Sequence, residues 1–373
     1  MKIAQIAPLW ERVPPPAYGG TEAIVSLLTE ELVRRGHRVE LFASGDSITS
    51  ARLHAVYHRS LRTADDLQYP APYEWVHAAS AIAAAADCDV VHNHAGELVM
   101  AMAELTRVPM LTTMHCLVTP DTRFVWERYR GAYVTISHAA YRAMPRFEQA
   151  QYLGVVYNAV DVDSFPFRAR KDDYLLYLSR ISPEKGTHLA IEVARRLGRR
   201  LIVAGKVDRA DRRYFQEVVC PLLQHRNVEF VGEVTREQAK ELFVAAEALL
   251  LPLQWEEPFG LVMAESMACG TPVVAFPRGA APEIVRHGVT GFLVDDLDAM
   301  VRAVYSLDRI DPAACRRHVA ERFDVGQMVD GYLRCYERLL ERSLRRYWPV
   351  VVGPVDGDRW TGSAGERGGI LTH

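Results

Sequence analysis

The run Ala248-Leu249-Leu250-Leu251-Pro252, then Leu253-Gln254-Trp255-Glu256-Glu257-Pro258-Phe259-Gly260, then Leu261-Val262-Met263-Ala264-Glu265-Ser266-Met267-Ala268 reads as strand, loop and helix. Its strand is apolar without interruption, which fits a strand covered on both faces of a parallel sheet. The same alternation continues outward. Strands are predicted at 174–178, 201–204, 228–231, 273–276 and 292–294, with helices near 184–197, 212–224, 236–246 and 298–307. The first half repeats the scheme, with strands at 3–7, 38–43, 90–92, 110–114 and 133–136 and helices at 21–35, 73–86 and 96–105. The class is α/β: two doubly wound, Rossmann-like domains facing across a cleft.

A seam falls at 158–171, where Asn158-Ala159-Val160-Asp161 is turn-like and Phe165-Pro166-Phe167-Arg168 lacks any period. The expected organisation is an N-terminal domain at 1–164 and a C-terminal domain at 165–324. A long helix at 325–345 would cross back to the first domain, and residues 346–373, rich in Gly without periodicity, would form a loose tail.

The length of 373 residues suits two or three domains, and 49% hydrophobic with 24% charged residues is globular composition. The 44 Lys and Arg against 47 Asp and Glu give a net charge of −3, with no basic field for a nucleic acid. One basic cluster, RLLERSLRR at 338–346, reads as a solvated helix face. Six scattered cysteines, with no C-x-x-C pair, oppose a disulfide framework and a structural zinc site and suit a reducing cytoplasm. The opening MKIAQIAPLW reads as a strand and not a signal peptide, and no stretch reaches the length of a membrane span.

In such sheets ligands bind beyond the carboxyl ends of the strands. After the first strand, Tyr18-Gly19-Gly20-Thr21-Glu22 leads into a helix, and the two glycines let backbone amides approach a ligand. After the strand at 174–178, Ser179-Arg180-Ile181-Ser182-Pro183-Glu184-Lys185-Gly186 places two cations at a helix start, suited to a diphosphate. In the opening stretch, Glu257 precedes a helix and Glu265 lies inside it, with the amides of Phe259, Gly260 and Leu261 between them at the positive end of the helix dipole. A carboxylate pair on either side of an anion site suits two sugar rings flanking a phosphate group.

The Glu257-x7-Glu265 pattern with Pro258-Phe259-Gly260 resembles the retaining family-4 glycosyltransferases of GT-B architecture. Tyr18-Gly19-Gly20-Thr21-Glu22, Gly36-His37-Arg38-Val39, Asn158-Ala159-Val160-Asp161, the Arg180–Lys185 loop, Ala204-Gly205 and Ala268-Cys269-Gly270-Thr271-Pro272 agree in order and spacing. Ala159 departs from the usual glycine, at the hinge. The resemblance implies that Arg180 and Lys185 bind the diphosphate of a nucleotide-sugar, with Gly19, Gly20, Gly205, Phe259, Gly260 and Leu261 around the donor. Glu265 would accept the ribose hydroxyls, Glu257 the hydroxyls of the transferred sugar, and Val234 would read the base. His115, after the strand at 110–114, matches a histidine that touches the donor sugar. His115, Glu257, Arg180 and Lys185 are thus the expected catalytic group.

The resemblance further implies front-face displacement with retention, no metal and no cofactor, the nucleotide-sugar being a co-substrate. UDP-glucose is the first donor expected. The acceptor, a sugar or a sugar phosphate such as fructose 6-phosphate, would meet the N-terminal domain at Tyr18, Asn93, Arg123 and Arg142. A lipid-linked or polysaccharide acceptor is the alternative, with peripheral membrane contact through the basic helix. Two other classes use the same residues. His92, His94 and His115 would serve a metal-dependent hydrolase, and a sugar-nucleotide-binding module would lack catalysis altogether. Asp87-Cys88-Asp89 and Asp161-Val162-Asp163 fit a D-x-D metal motif but precede a strand or lie in the linker.

Overall fold

The computed structural model describes residues 1–64 and 67–347. Seven parallel strands, β1 (Lys2–Ile6), β2 (Arg38–Phe42), β3 (Arg52–His54), β4 (Val90–Asn93), β5 (Met110–Met114), β6 (Ala132–Thr135) and β7 (Gln151–Val155), make one sheet in the order β3-β2-β1-β4-β5-β6-β7. Six more, β8 (Leu175–Leu178), β9 (Leu201–Ala204), β10 (Val228–Gly232), β11 (Ala248–Leu251), β12 (Val273–Ala275) and β13 (Gly291–Leu293), make a second parallel sheet in the order β10-β9-β8-β11-β12-β13. Each is a doubly wound sheet, as expected. The order reverses beside β1 in one and beside β8 in the other, and a crevice opens at such a switch point.

Two edge strands, β3 and β7, carry no apolar run, so periodicity does not announce them. The expected helix at 212–224 is interrupted by a wide turn over Phe215–Val219. Pro221 explains it: a proline inside a helix donates no N–H and crowds the carbonyl four residues back, and one looser turn relieves both. The helix expected from Glu184 begins instead at Thr187, because Gly186 adopts a left-handed φ of 73°. A Cβ there would meet the Pro252 carbonyl oxygen at 2.1 Å, so only glycine fits where this loop crosses the end of β11.

The Val325–Tyr347 helix returns to the first sheet. Met328, Val329, Tyr332, Cys335, Tyr336 and Leu339, at helical spacing, pack on Ile3, Ile24, Leu28, Val90 and Leu111. Residues from 348 onward, where most of the expected loose tail falls, lie outside the described residues. The chain passes between the domains twice, side by side: the Val160 amide donates to the Phe323 carbonyl at 2.9 Å. Arg316 fastens this crossing, donating to the carbonyls of Val162, Phe165 and Ala268, each at 2.8 Å. Nearby, Glu283 of the second domain accepts from the amides of His138 and Ala139, at 2.9 and 2.6 Å, and so caps a helix of the first. Among the described residues no helix is long and apolar enough to cross a membrane.

Candidate active site

A cavity of about 500 Å³ lies between the domains. The first domain lines it with Tyr18, Gly19 and Gly20 after β1 and with His115 after β5. The second contributes Arg180 and Lys185 after β8, Gly205 after β9, Val234 after β10, and Glu257, Phe259, Gly260, Leu261 and Glu265 after β11. Residues spread over nearly 250 positions thus meet because the central parallel strands of both sheets end at the same crevice.

Glu257 sits at the centre and is buried. Its Oε2 accepts from Lys185 Nζ at 2.5 Å and from Trp255 Nε1 at 3.0 Å, and the Lys185 ammonium stands 4.5 Å from the centre of the Trp255 ring. A turn at 278–280 holds the glutamate's backbone. The Ala280 amide donates to the Glu257 carbonyl at 2.8 Å, and the Gly279 amide donates to Glu256 Oε2 at 2.7 Å. A Cβ on Gly279 would fall 2.2 Å from the Glu257 amide nitrogen, so the close approach requires glycine.

Arg180 reaches the cavity from the same loop as Lys185. It pairs with Glu184 and stands 3.8 Å from Asp208 and 3.9 Å from Asp211, while its buried Nε has no hydrogen-bond partner. A guanidinium ringed by carboxylates but with a buried, unused N–H is suited to an incoming anion. The amides of Phe259, Gly260 and Leu261 likewise donate to no group among the described residues. They open the Leu261–Ala268 helix, so its dipole adds positive potential at the same point. Deeper in, Glu265 Oε1 lies 3.7 Å from Arg236 Nη2. Burial raises the Glu265 carboxyl above its ordinary value, and Arg236 opposes that.

His115 Nε2 lies 2.9 Å from His94 Nδ1. Burial lowers His115 to about 4 and holds His92 and His94 well below the ordinary imidazole value, so all three rings are neutral at pH 7. Both ring nitrogens of His92 and of His94 are already hydrogen-bonded to other protein groups. That leaves them no lone pair for a metal, and the arrangement does not fit the hydrolase alternative. Among the described residues no group of three or more His, Cys, Asp or Glu is placed to hold a metal ion.

Three residues expected on the acceptor side lie away from this lining. Asn93 is buried, donating to the Gly96 carbonyl at 2.9 Å and accepting from the Ala95 amide at 2.9 Å. Arg123 pairs with Glu127 at 2.7 Å on an exposed helix, and Arg142 stands 3.4 Å from Glu283. Conversely, Trp255, Lys206 and Arg236 line the cavity. A tryptophan two residues before a loop glutamate is a usable signal for the first. Lys206 follows the Ala204-Gly205 pair, and Arg236 follows Val234 by two, so strand-end position alone marks both.

The rim is closed by contacts between the domains. Arg62 donates to Glu11 at 2.7 Å on its own side and to Glu233 at 2.5 Å across the cleft. The Arg236 amide donates to the Pro16 carbonyl at 3.1 Å. Just behind this rim Glu22 is buried in the first turn of the Gly20–Arg34 helix, and burial, with Glu11 nearby, raises its carboxyl to about 7. A carboxyl raised from 4.5 to about 7 favours the folded state only while protonated. That contribution is complete below about pH 4.5 and is lost as pH rises through 7, an effect on the order of 3 kcal/mol. Glu22→Gln is therefore expected to match the wild type near pH 4 and to melt at a higher temperature at pH 8. A melting difference that does not change with pH would contradict this.

Comparison with known proteins gives a consistent picture. Residues 18–164 match the family described as Glycosyltransferase Family 4, and residues 162–309 match the family described as Glycosyl transferases group 1. A putative glycosyltransferase of Bacillus subtilis, YtcC, is 28% identical over 44% of this chain and 47% of its own length. The glycogen synthase of Mycobacterium tuberculosis is 32% identical over 61% of this chain and 62% of its own length. The chain thus spans less than two thirds of either relative. Among solved structures, AviGT4, a glycosyltransferase involved in avilamycin A biosynthesis, superposes with a TM-score of 0.71 at 25% identity, covering 91% of this chain and 98% of that one.

Proposed function

Because the chain belongs to the family-4 glycosyltransferases of GT-B architecture, we propose that it moves a hexosyl group from a nucleoside-diphosphate sugar to a hydroxyl of a sugar or sugar-phosphate acceptor, with retention. The observation that carries this reading is the convergence of Lys185, the unused Nε of Arg180, three free amides and Glu257 on one cavity, which His115 lines from the other domain. Cations and helix amides would hold the diphosphate and stabilise the charge that develops on it as the sugar leaves. Glu257 would accept sugar hydroxyls, and Glu265, eight positions on, the ribose hydroxyls. The departing diphosphate oxygen would take the proton of the incoming acceptor hydroxyl on the same face, which accounts for retention without a carboxylate nucleophile. In this reading the fixed cations and amides neutralise the leaving group, and the reaction proceeds without a metal.

UDP-glucose is the proposed donor and fructose 6-phosphate the first acceptor to try. Thermal shift with a panel of nucleotide sugars identifies the donor, since a ligand that binds the folded state raises the midpoint. Acceptor screening by product mass then includes sugar phosphates, oligosaccharides and lipid-linked sugars. The anomeric configuration of the product, read by NMR, checks the stereochemistry: an inverted linkage would overturn front-face displacement.

A further inference from the structure

Beneath His115 a single file of buried polar groups crosses the first domain. His115 Nε2 lies 2.9 Å from His94 Nδ1, and His94 Nε2 lies 2.8 Å from Gln5 Oε1. Gln5 Nε2 donates to Tyr336 Oη at 3.1 Å, and that hydroxyl lies 2.7 Å from His92 Nδ1. His92 Nε2 lies 2.7 Å from Thr113 Oγ1, which donates to Tyr332 Oη at 3.0 Å. Apart from His115, each member is at most 3% exposed. The file joins β1, β4, β5 and the returning C-terminal helix.

Its protons can be counted. Gln5 Oε1 only accepts, so His94 Nε2 carries the hydrogen; a neutral His94 must then accept at Nδ1, and the donor there is His115 Nε2–H. On the other side Gln5 Nε2 fills a lone pair of Tyr336, whose own hydrogen goes to His92 Nδ1. His92 Nε2–H then donates to Thr113, and Thr113 to Tyr332. Every donor points the same way, from His115 towards Tyr332, whose hydroxyl receives the last hydrogen and donates to no group among the described residues. His115 Nδ1 alone makes no hydrogen bond among the described residues, on a ring that lines the cavity. The Gln5 amide sets the direction, because it has one end that only donates and one that only accepts. Turned over, it would reverse every proton and leave His115 presenting Nδ1–H.

We propose that Gln5, His94 and Tyr336 are positioning residues that hold His115 as its Nε2–H tautomer, so that the Nδ1 lone pair accepts a hydroxyl of the bound sugar. For the identity of that ligand the inference rests on the glycosyl-transfer reading; the tautomer does not. A hydroxyl that donates to a lone pair gains electron density, and this favours the positive charge that grows at a sugar carbon losing its leaving group. Through Tyr336, a helix that packs behind the first sheet becomes part of the reaction centre.

The test is the imidazole ¹⁵N spectrum of the full chain, labelled at histidine, without substrate. The expected result is His115 with an unprotonated Nδ1 and a protonated Nε2; a protonated Nδ1 would overturn the proposal outright. Tyr336→Phe removes the hydroxyl that receives the Gln5 amide, leaving a buried donor unpaired. The variant is expected to show both His115 tautomers and a kcat lower by about tenfold, with the donor KM unchanged, since an interaction made mainly in the transition state is lost. A variant that melts earlier yet keeps one tautomer and full kcat would reduce Tyr336 to a structural role. Should Tyr336→Phe not fold, Gln5→Met breaks the same file and is read the same way. A spectrum as expected in a protein that transfers sugar to no acceptor would count against the functional reading and leave the tautomer assignment standing.

Discussion

Lys185→Ala is expected to lower turnover by about 10²–10³ while leaving the fold intact, the usual consequence of removing one fixed charge from a developing anion. Lys185 is held in place before any ligand arrives, by Glu257 at 2.5 Å and by the face of Trp255. Its ammonium therefore needs no reorganisation when the diphosphate accepts charge. Binding of the free nucleoside diphosphate should weaken as well, by ~10–100-fold for the loss of a charged hydrogen bond. Calorimetric titration with UDP, beside initial rates of product formation, measures both. A variant with turnover near the wild type would remove Lys185 from the mechanism.

Glu257→Ala is expected to abolish transfer to a similar degree but to act on nucleotide binding in the opposite sense. The carboxylate neutralises Lys185, so its removal frees the ammonium for the phosphates, and UDP should bind as tightly as before or more so. The sugar hydroxyls lose their acceptor, so the intact donor should lose affinity relative to UDP. Leaving Trp255 Nε1 without its partner at 3.0 Å costs about 1–3 kcal/mol of stability, which a melting curve reads. The two substitutions together separate the roles: if UDP binding fell in both, Glu257 would belong to the diphosphate site and not to the sugar site.

Much of this fold is legible in the sequence because its central strands are buried on both faces. Runs such as Leu201-Ile202-Val203-Ala204 are apolar throughout, and their ends mark where ligands gather. The strands that periodicity misses are edges. Arg52-Leu53-His54 and Gln151-Tyr152-Leu153-Gly154-Val155 touch a neighbour on one side only, so water and polar side chains are tolerated. The helix of Pro312–Arg322 goes unread for a related reason: it buries Cys315 and Val319, too few apolar positions to set a period. The residues placed at strand ends, Arg180, Lys185, Glu257 and Glu265, all reach one cavity. Asn93, Arg123 and Arg142 follow from the resemblance alone, and agreement in motif order does not say which partner a side chain takes. For Arg142 the partner is a glutamate of the other domain, which no local pattern in either half encodes. The His115 file is likewise hidden, since it draws on positions 5, 92, 94, 113, 332 and 336.

Two passes of the chain lying side by side behave as a door-post. A swing of one domain about the Val160–Phe323 contact moves nearby groups little and distant ones much, in proportion to their radius from that axis. Glu283 and the helix it caps lie close to the post, whereas Arg62 with Glu233 and Pro16 with Arg236 stand at the free edge. A slight swing therefore parts the outer contacts while the inner ones persist. Entry of a substrate then asks for release of the Arg62–Glu233 ion pair, the Arg236–Pro16 backbone bond and the Lys206 ammonium from the Tyr18 ring, not for pulling two domains apart.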